Sequence, residues 1–300
     1  MHSSIKSRRG FLSRLGLLGV SSAVLSGGLT KGLAALLQHS EPTDEEICQV
    51  KFTLATEWYL YEKPIGEVAA TVGRMFLETP YVANTLETPG NERLVINLHG
   101  LDCVTFVEST LAISRCVKLR ANTFEAYKQQ LQRIRYRSGV IDGYPSRLHY
   151  FSDWIDDNES KHIVRNISRE IGATYPKQVH FMSSHTSSYK QLSDEGYLKK
   201  IKETEATLNR REHYYISKNR ISGVESQIEP GDIIAITTSI EGLDVVHTGM
   251  AIRSDGKLKY LHAPLSKGSV RISDQSLAEY LAGNKKQTGI MVARPLEPVS

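Results

Sequence analysis

The chain has 300 residues, 40% of them hydrophobic and 23% charged, enough for one large domain or two small ones with a sizeable core. Its formal charge of +4 comes from residues 1–39, where Lys6, Arg8, Arg9, Arg14 and Lys31 stand without an acid; the remaining 32 Lys and Arg face 33 acids, a net of −1. A near-neutral body without a basic stripe argues against a nucleic-acid partner.

In chain order, Ser7-Arg8-Arg9-Gly10-Phe11-Leu12 precedes an apolar, Gly- and Ser-rich stretch from Leu15 to Leu29. This pattern resembles a twin-arginine export signal. The stretch falls short of the about 20 apolar residues of a membrane span. Residues 1–39 are therefore read as a signal and 40–300 as the mature domain, periplasmic and without stable membrane insertion. The bland alternative is an uncleaved amphipathic anchor. Residues 42–78 carry helical spacing, with Thr43 or Asp44 as the cap, and Thr79-Pro80-Tyr81 ends them. Leu94-Val95-Ile96-Asn97-Leu98 is an extended apolar run. A helix is predicted from Cys103 to Leu119, another from Phe124 to Ile134, and a loop over 136–154. Residues 159–225 are charged and show no clear period. Strands follow at 233–236, 245–252, 258–263, 270–272 and 289–293, with a hairpin turn at Ser254-Asp255-Gly256-Lys257 and a helix at 276–281. Helices first and an antiparallel meander after them predict an α+β fold.

Cys48, Cys103 and Cys116 are odd in number and fit no zinc spacing. Cys48 and Cys116 read as buried small hydrophobes; a bridge between them stays open. Cys103 differs, because a glycine turn and an acid precede it at a helix start. A thiolate is the attacking form, and a helix N-terminus with a nearby imidazole favours it. His247 lies within one predicted strand and His262 ends the next, so a hairpin would bring the imidazoles together. One could act as base while the other orients it. Taken alone, His262 reads better as a satisfied structural histidine. His180 and His185 have poor metal-ligand spacing and are read as structural.

Four separated motifs occur in order: Thr-Pro-Tyr-x-x-x-Thr-Leu-Glu at 79–87, Gly-x-Asp-Cys-x-Thr-Phe-Val-Glu at 100–108, Gly-Leu-Asp-Val-x-His-Thr-Gly at 242–249 and Leu-His-Ala at 261–263. Together they resemble the DUF1460 family, a branch of the papain-like NlpC/P60 superfamily, over about 45–295. The resemblance implies a papain-like fold, with the nucleophile helix packed on an antiparallel sheet. It also implies a periplasmic N-acetylmuramoyl-L-alanine amidase that needs neither metal nor cofactor and acts on muropeptides or peptidoglycan fragments. Cys103 would be the nucleophile, His247 the general base and acid, and His262 the third member; Pro264 departs from the small residue expected after His-Ala. Tyr81, Asn84, Glu87 and Asp102 would line the cleft. Arg147, His149, Tyr150, Asp153 and Trp154, with Arg137 and Tyr144, mix cations, aromatics and an acid in one loop and would bind the substrate's carboxylates and sugars. The same catalytic residues would serve an endopeptidase cutting between D-glutamate and the diamino acid. A cell-wall binding module without activity is a third reading, and a metal-dependent amidase a fourth.

Overall fold

Helix α1 (Asp44–Glu57) starts where the sequence supplies a cap. The Glu46 N–H donates to the Thr43 hydroxyl at 3.2 Å and the Thr43 N–H donates to the Glu46 carboxylate at 2.7 Å. This reciprocal box satisfies two donors that a helix start leaves open. The computed structural model describes residues 41–299, so the export signal expected at 1–39 lies outside the described residues. The one helical stretch expected over 42–78 is two helices. Tyr59 adopts a left-handed φ of 54°, and Lys63 is extended before Pro64, where α2 (Ile65–Arg74) begins.

Helix α3 (Cys103–Leu119) is buried from Thr105 through Val117. It lies among α1, α2, α4 (Phe124–Arg135) and the sheet, which is why its apolar pattern runs round all sides. Fully buried Phe106, Leu111 and Ile113 each contribute roughly 1.5–3 kcal/mol relative to an exposed side chain. The predicted loop over 136–154 gives way at Phe151 to α5 (Phe151–Ser160). Leu94–Leu98 forms no strand, contrary to its apolar run, because its backbone is satisfied by side chains. Arg135 donates to the Val95 carbonyl at 2.5 Å, and the Leu98 N–H donates to Asp44 at 2.6 Å.

The sheet comprises β1 (Val164–Asn166), β2 (Ala173–Thr174), β3 (Tyr214–Ser217), β4 (Ile233–Thr238), β5 (Val245–Ser254), β6 (Lys257–His262), β7 (Arg271–Ile272) and β8 (Gln287–Pro295). The order is β2-β3-β8-β4-β5-β6-β7, with β1 also on β8 and every pair antiparallel. The uncertain stretch 159–225 supplies β1 to β3 and helix α6 (Glu195–Leu208). Asp255 and Gly256, both at positive φ (53° and 73°), close the β5–β6 hairpin as the sequence predicts. Side chains alternate across the sheet. Ile233, Ala235, Met250, Ile252 and Leu261 share a core with Phe106 and Leu111 of α3. Ile234, Ile236, Ala251 and Tyr260 face the other way and are covered by Leu277 and Leu281 of α7 (Leu277–Ala282). Mixed helices over an antiparallel sheet make this an α+β protein.

Candidate active site

Cys103 opens α3 because Asp102 caps it. The Asp102 carboxylate accepts the N–H of Val104 at 3.0 Å, the N–H of Thr105 at 2.8 Å and the Thr105 hydroxyl at 2.8 Å. All three donors reach the same oxygen, Oδ1, so the carboxylate acts as the helix cap. The turn before it is built from Asn97, whose side-chain oxygen accepts the N–H groups of His99 and Gly100, each at 3.1 Å. Tyr81 bridges to Leu101. Burial and the charges of Cys103 and Asp102 push the Tyr81 phenol up.

The two histidines meet on the hairpin. Gly249 is opposite His262 in the β5–β6 register, which sets His247 diagonally across from it. His247 Nε2 lies 2.7 Å from His262 Nδ1. The ladder with β4 slips between Ile236, opposite His247, and Thr237, opposite Val245, leaving Val246 as an extra residue. Such a bulge bends the strand and re-aims its side chains. Gly249 has no side chain for a steric reason. A Cβ there would lie 2.6 Å from the Leu261 carbonyl oxygen, 2.7 Å from the Tyr260 ring and 2.8 Å from the His262 Cβ. Tyr260 packs on both imidazoles, at 5.7 Å and 4.6 Å between centroids, and its hydroxyl donates to the Ile234 carbonyl at 3.2 Å. Tyr280 of α7 meets His262 edge-on at 5.3 Å.

Thr248, the residue after His247, joins strand to helix: its hydroxyl donates to the Cys103 carbonyl at 2.8 Å. The thiol does not have the lowered pKa expected at a helix start. Burial pushes it up to about 11, helped by the Asp102 charge and opposed by the N–H of Thr248 and its own N–H. Burial also holds His247 down at about 4, and burial with the charges of His247 and Arg271 holds His262 at about 3. Burial thus favours the neutral form of the thiol and of both imidazoles. With Nε2 of His247 engaged by His262, Nδ1 remains free to take a proton.

Two cavities flank the histidines. One of about 360 Å³ is bounded by Val246, His247, Leu265, Lys286 and Gln287; another of about 340 Å³ is bounded by His262, Lys267, Arg271, Ser273 and Asp274. Pro264, Ser266 and Tyr280 bound both. Of these residues only the histidines carry a sequence signal; Thr248, Tyr260, Tyr280 and Arg271 become visible through register and packing. Among the described residues, no cluster of His, Cys, Asp and Glu could hold a metal ion.

The loop expected to bind substrate is held by its own partners instead. Arg147 pairs with Glu87 at 2.9 Å, approaches Glu92 at 3.5 Å and lies over the Tyr144 ring. Asp153 takes both prongs of Arg137, at 3.0 Å and 2.5 Å. The Tyr150 hydroxyl donates to Glu205 at 2.7 Å and accepts the Met182 N–H at 2.8 Å. Trp154, fully buried, stacks on Phe151 and donates to Glu108. His149, kept neutral by burial and the Arg147 charge, donates from Nε2 to the Tyr144 carbonyl. These five side chains bound neither cavity beside the histidines, while Asp153 and Arg137 bound a separate one of about 630 Å³. Asn84 is exposed at a φ of 59°, and Glu87 is exposed apart from its bond to Arg147.

Residues 71–290 match the family described as AmiA-like, N-acetylmuramoyl-L-alanine amidase-like. The chain belongs to the AmiA-like family. A crystal structure of an N-acetylmuramoyl-L-alanine amidase from Bacteroides uniformis is similar to it at a TM-score of 0.74 and 40% identity, covering 77% of this chain and 99% of that one. A Bacteroides fragilis protein whose printed name proposes a xylanase aligns at a TM-score of 0.69 and 37% identity, over 75% of this chain and 99% of that one. A DUF1460 protein from Legionella pneumophila, 22% identical with a TM-score of 0.63, covers 85% of this chain and 96% of its own and shares the AmiA-like fold. No curated protein matches the sequence.

Proposed function

We propose that this AmiA-like protein is a cysteine amidase of the papain-like NlpC/P60 kind. It hydrolyses the amide between N-acetylmuramic acid and L-alanine in muropeptides, in the periplasm after export. The observation that carries the reading is the bond from Thr248 to Cys103, which sets the strand bearing the His247–His262 pair against the start of the nucleophile's helix.

As the sulfur attacks the lactyl carbonyl, its proton passes to His247, and His262 holds that imidazole in place. The N–H of Cys103 has no intrahelical acceptor at the first helical position and is available to the developing oxyanion. His247 then protonates the departing alanine nitrogen. Cys103 remains acylated as a thioester until water, deprotonated by His247, releases the muramic acid. A neutral resting pair suits this order, because charge separates only when substrate is in place. A thiol with paired imidazoles fits acyl transfer better than glycoside hydrolysis, which uses two carboxylates across the scissile bond.

The test is purified protein with a defined muropeptide and products read by mass spectrometry. Free stem peptide with peptide-free sugar is expected, and Cys103→Ala should lose about 10³-fold or more in kcat. A fragment cut after D-glutamate would reassign the bond to an endopeptidase. An untouched muropeptide, or full activity in Cys103→Ala, would refute the reading.

A further inference from the structure

Among the arginines withdrawn from solvent, Arg74, Arg115, Arg135, Arg137, Arg147 and Arg294 each donate to a defined acceptor. Arg271 is half-buried and has no hydrogen-bond or ion-pair partner among the described residues. Its position is specific. It stands directly across the β6–β7 ladder from His262, where neighbouring Cβ atoms lie about 4.5–5.5 Å apart. The guanidinium bounds the 340 Å³ cavity that His262 also bounds, and Lys267, exposed and likewise unpaired, stands on the rim. The one acid there, Asp274, is exposed and not within ion-pair distance of Arg271.

A half-withdrawn cation without a counter-charge is unfavourable in the free protein, and an arriving anion removes that cost. A guanidinium presents a planar fork that fits a carboxylate with two parallel bonds. Arg147, the arginine that the sequence nominated for such a role, is already engaged by Glu87. We propose that Arg271, assisted by Lys267, forms a carboxylate subsite that takes the free α-carboxylate of the D-glutamate in the stem peptide. Pro264, Ser266 and Tyr280 bound this cavity and the one beside His247 alike, so the acid group is held next to the cavity that His247 bounds. The inference rests on the amidase reading above.

The test uses two muropeptides that differ at one group: D-glutamate with a free α-carboxylate, and its α-carboxamide. Wild-type protein should show a KM about tenfold or more lower for the acid, the scale of a charge-assisted hydrogen bond. Arg271→Gln should abolish that preference, read as the ratio of kcat/KM for the acid to that for the carboxamide, in which any effect common to both substrates cancels. Arg271→Lys, which keeps the charge without the fork, should retain part of the preference, and Lys267→Gln should reduce it slightly. Arg271 also bears on the proton affinity of His262, so comparing two substrates on one variant separates recognition from chemistry. Calorimetric titration of Cys103→Ala with both compounds reads the subsite without turnover. Equal KM values and equal binding of acid and amide by wild type, or an undiminished preference in Arg271→Gln, would overturn the subsite. If neither compound is cleaved but the acid binds more tightly, the amidase reading fails and the subsite stands.

Discussion

Replacing Gly249 with alanine tests whether the hairpin sets the imidazole geometry. The added methyl would overlap the Leu261 carbonyl oxygen, the Tyr260 ring and the His262 Cβ, all within 2.8 Å. Two of these groups belong to the backbone or directly adjoin it, and Tyr260 is anchored through its hydroxyl. The strain therefore passes to His262 and to its bond with His247. Overpacking by one methyl costs about 1–3 kcal/mol. In a unit of this size that lowers Tm by about 2–12 °C. A shift of several tenths of an ångström in the base should lower kcat by about 10- to 100-fold while leaving KM near its wild-type value. Gly223→Ala is the control, because a Cβ there meets nothing within 4 Å. Thermal melts by circular dichroism and turnover of a muropeptide supply both readings. Wild-type kcat in Gly249→Ala would refute the claim that this close approach positions the histidines, whatever happens to Tm.

Two further outcomes follow from groups withdrawn from water. Glu108 and Arg135 form a buried pair at 2.7 Å linking α3 to α4, with Trp154 of α5 also donating to Glu108. Glu108→Leu strands the Arg135 charge and should cost about 3–5 kcal/mol, whereas adding Arg135→Met should recover most of it, as chemical denaturation would show. A double variant no more stable than the single one would contradict this account. His247 and His262 are held down at about 4 and 3, below the unfolded value of about 6.5. Between those values the unfolded chain binds more protons than the folded one, so the contribution of each histidine is complete above about pH 6.5 and is lost as pH falls toward 4 and 3. In a proton NMR titration, both imidazoles should stay neutral at pH 5.5. Protonation of either at pH 6 would sink the buried-pair description.

The catalytic candidates were legible because each carries a local signal. Cys103 follows a turn and a capping acid, and His247 and His262 lie in runs whose strand character is strong. Strands at 233–236, 245–252 and 258–263 were placed within about two residues of β4, β5 and β6. In the loop over 136–154, residue type does not report which partners a side chain already has. Arg147, Asp153, Tyr150 and Trp154 look like a ligand surface when listed by chemistry, and Glu87, Arg137, Glu205 and Glu108 satisfy them from distant positions. Leu94–Leu98 reads as an extended apolar run, and the side chains of Arg135 and Asp44 bond its backbone at Val95 and Leu98. Arg271 left no trace in the sequence, since its significance is the lack of a partner, which only the folded chain displays.

The place of β8 makes the sheet depend on the last strand of the chain to be synthesised. This strand comes last in the chain, yet it lies between β3 and β4 in the middle of the sheet. A product that stopped before Gln287 would contain Cys103, His247 and His262 and would still expose an open edge on β4. Such an edge invites pairing with other chains. Without β8, β3 and β4 share no neighbour, and the sheet that carries the histidine hairpin is left in two parts.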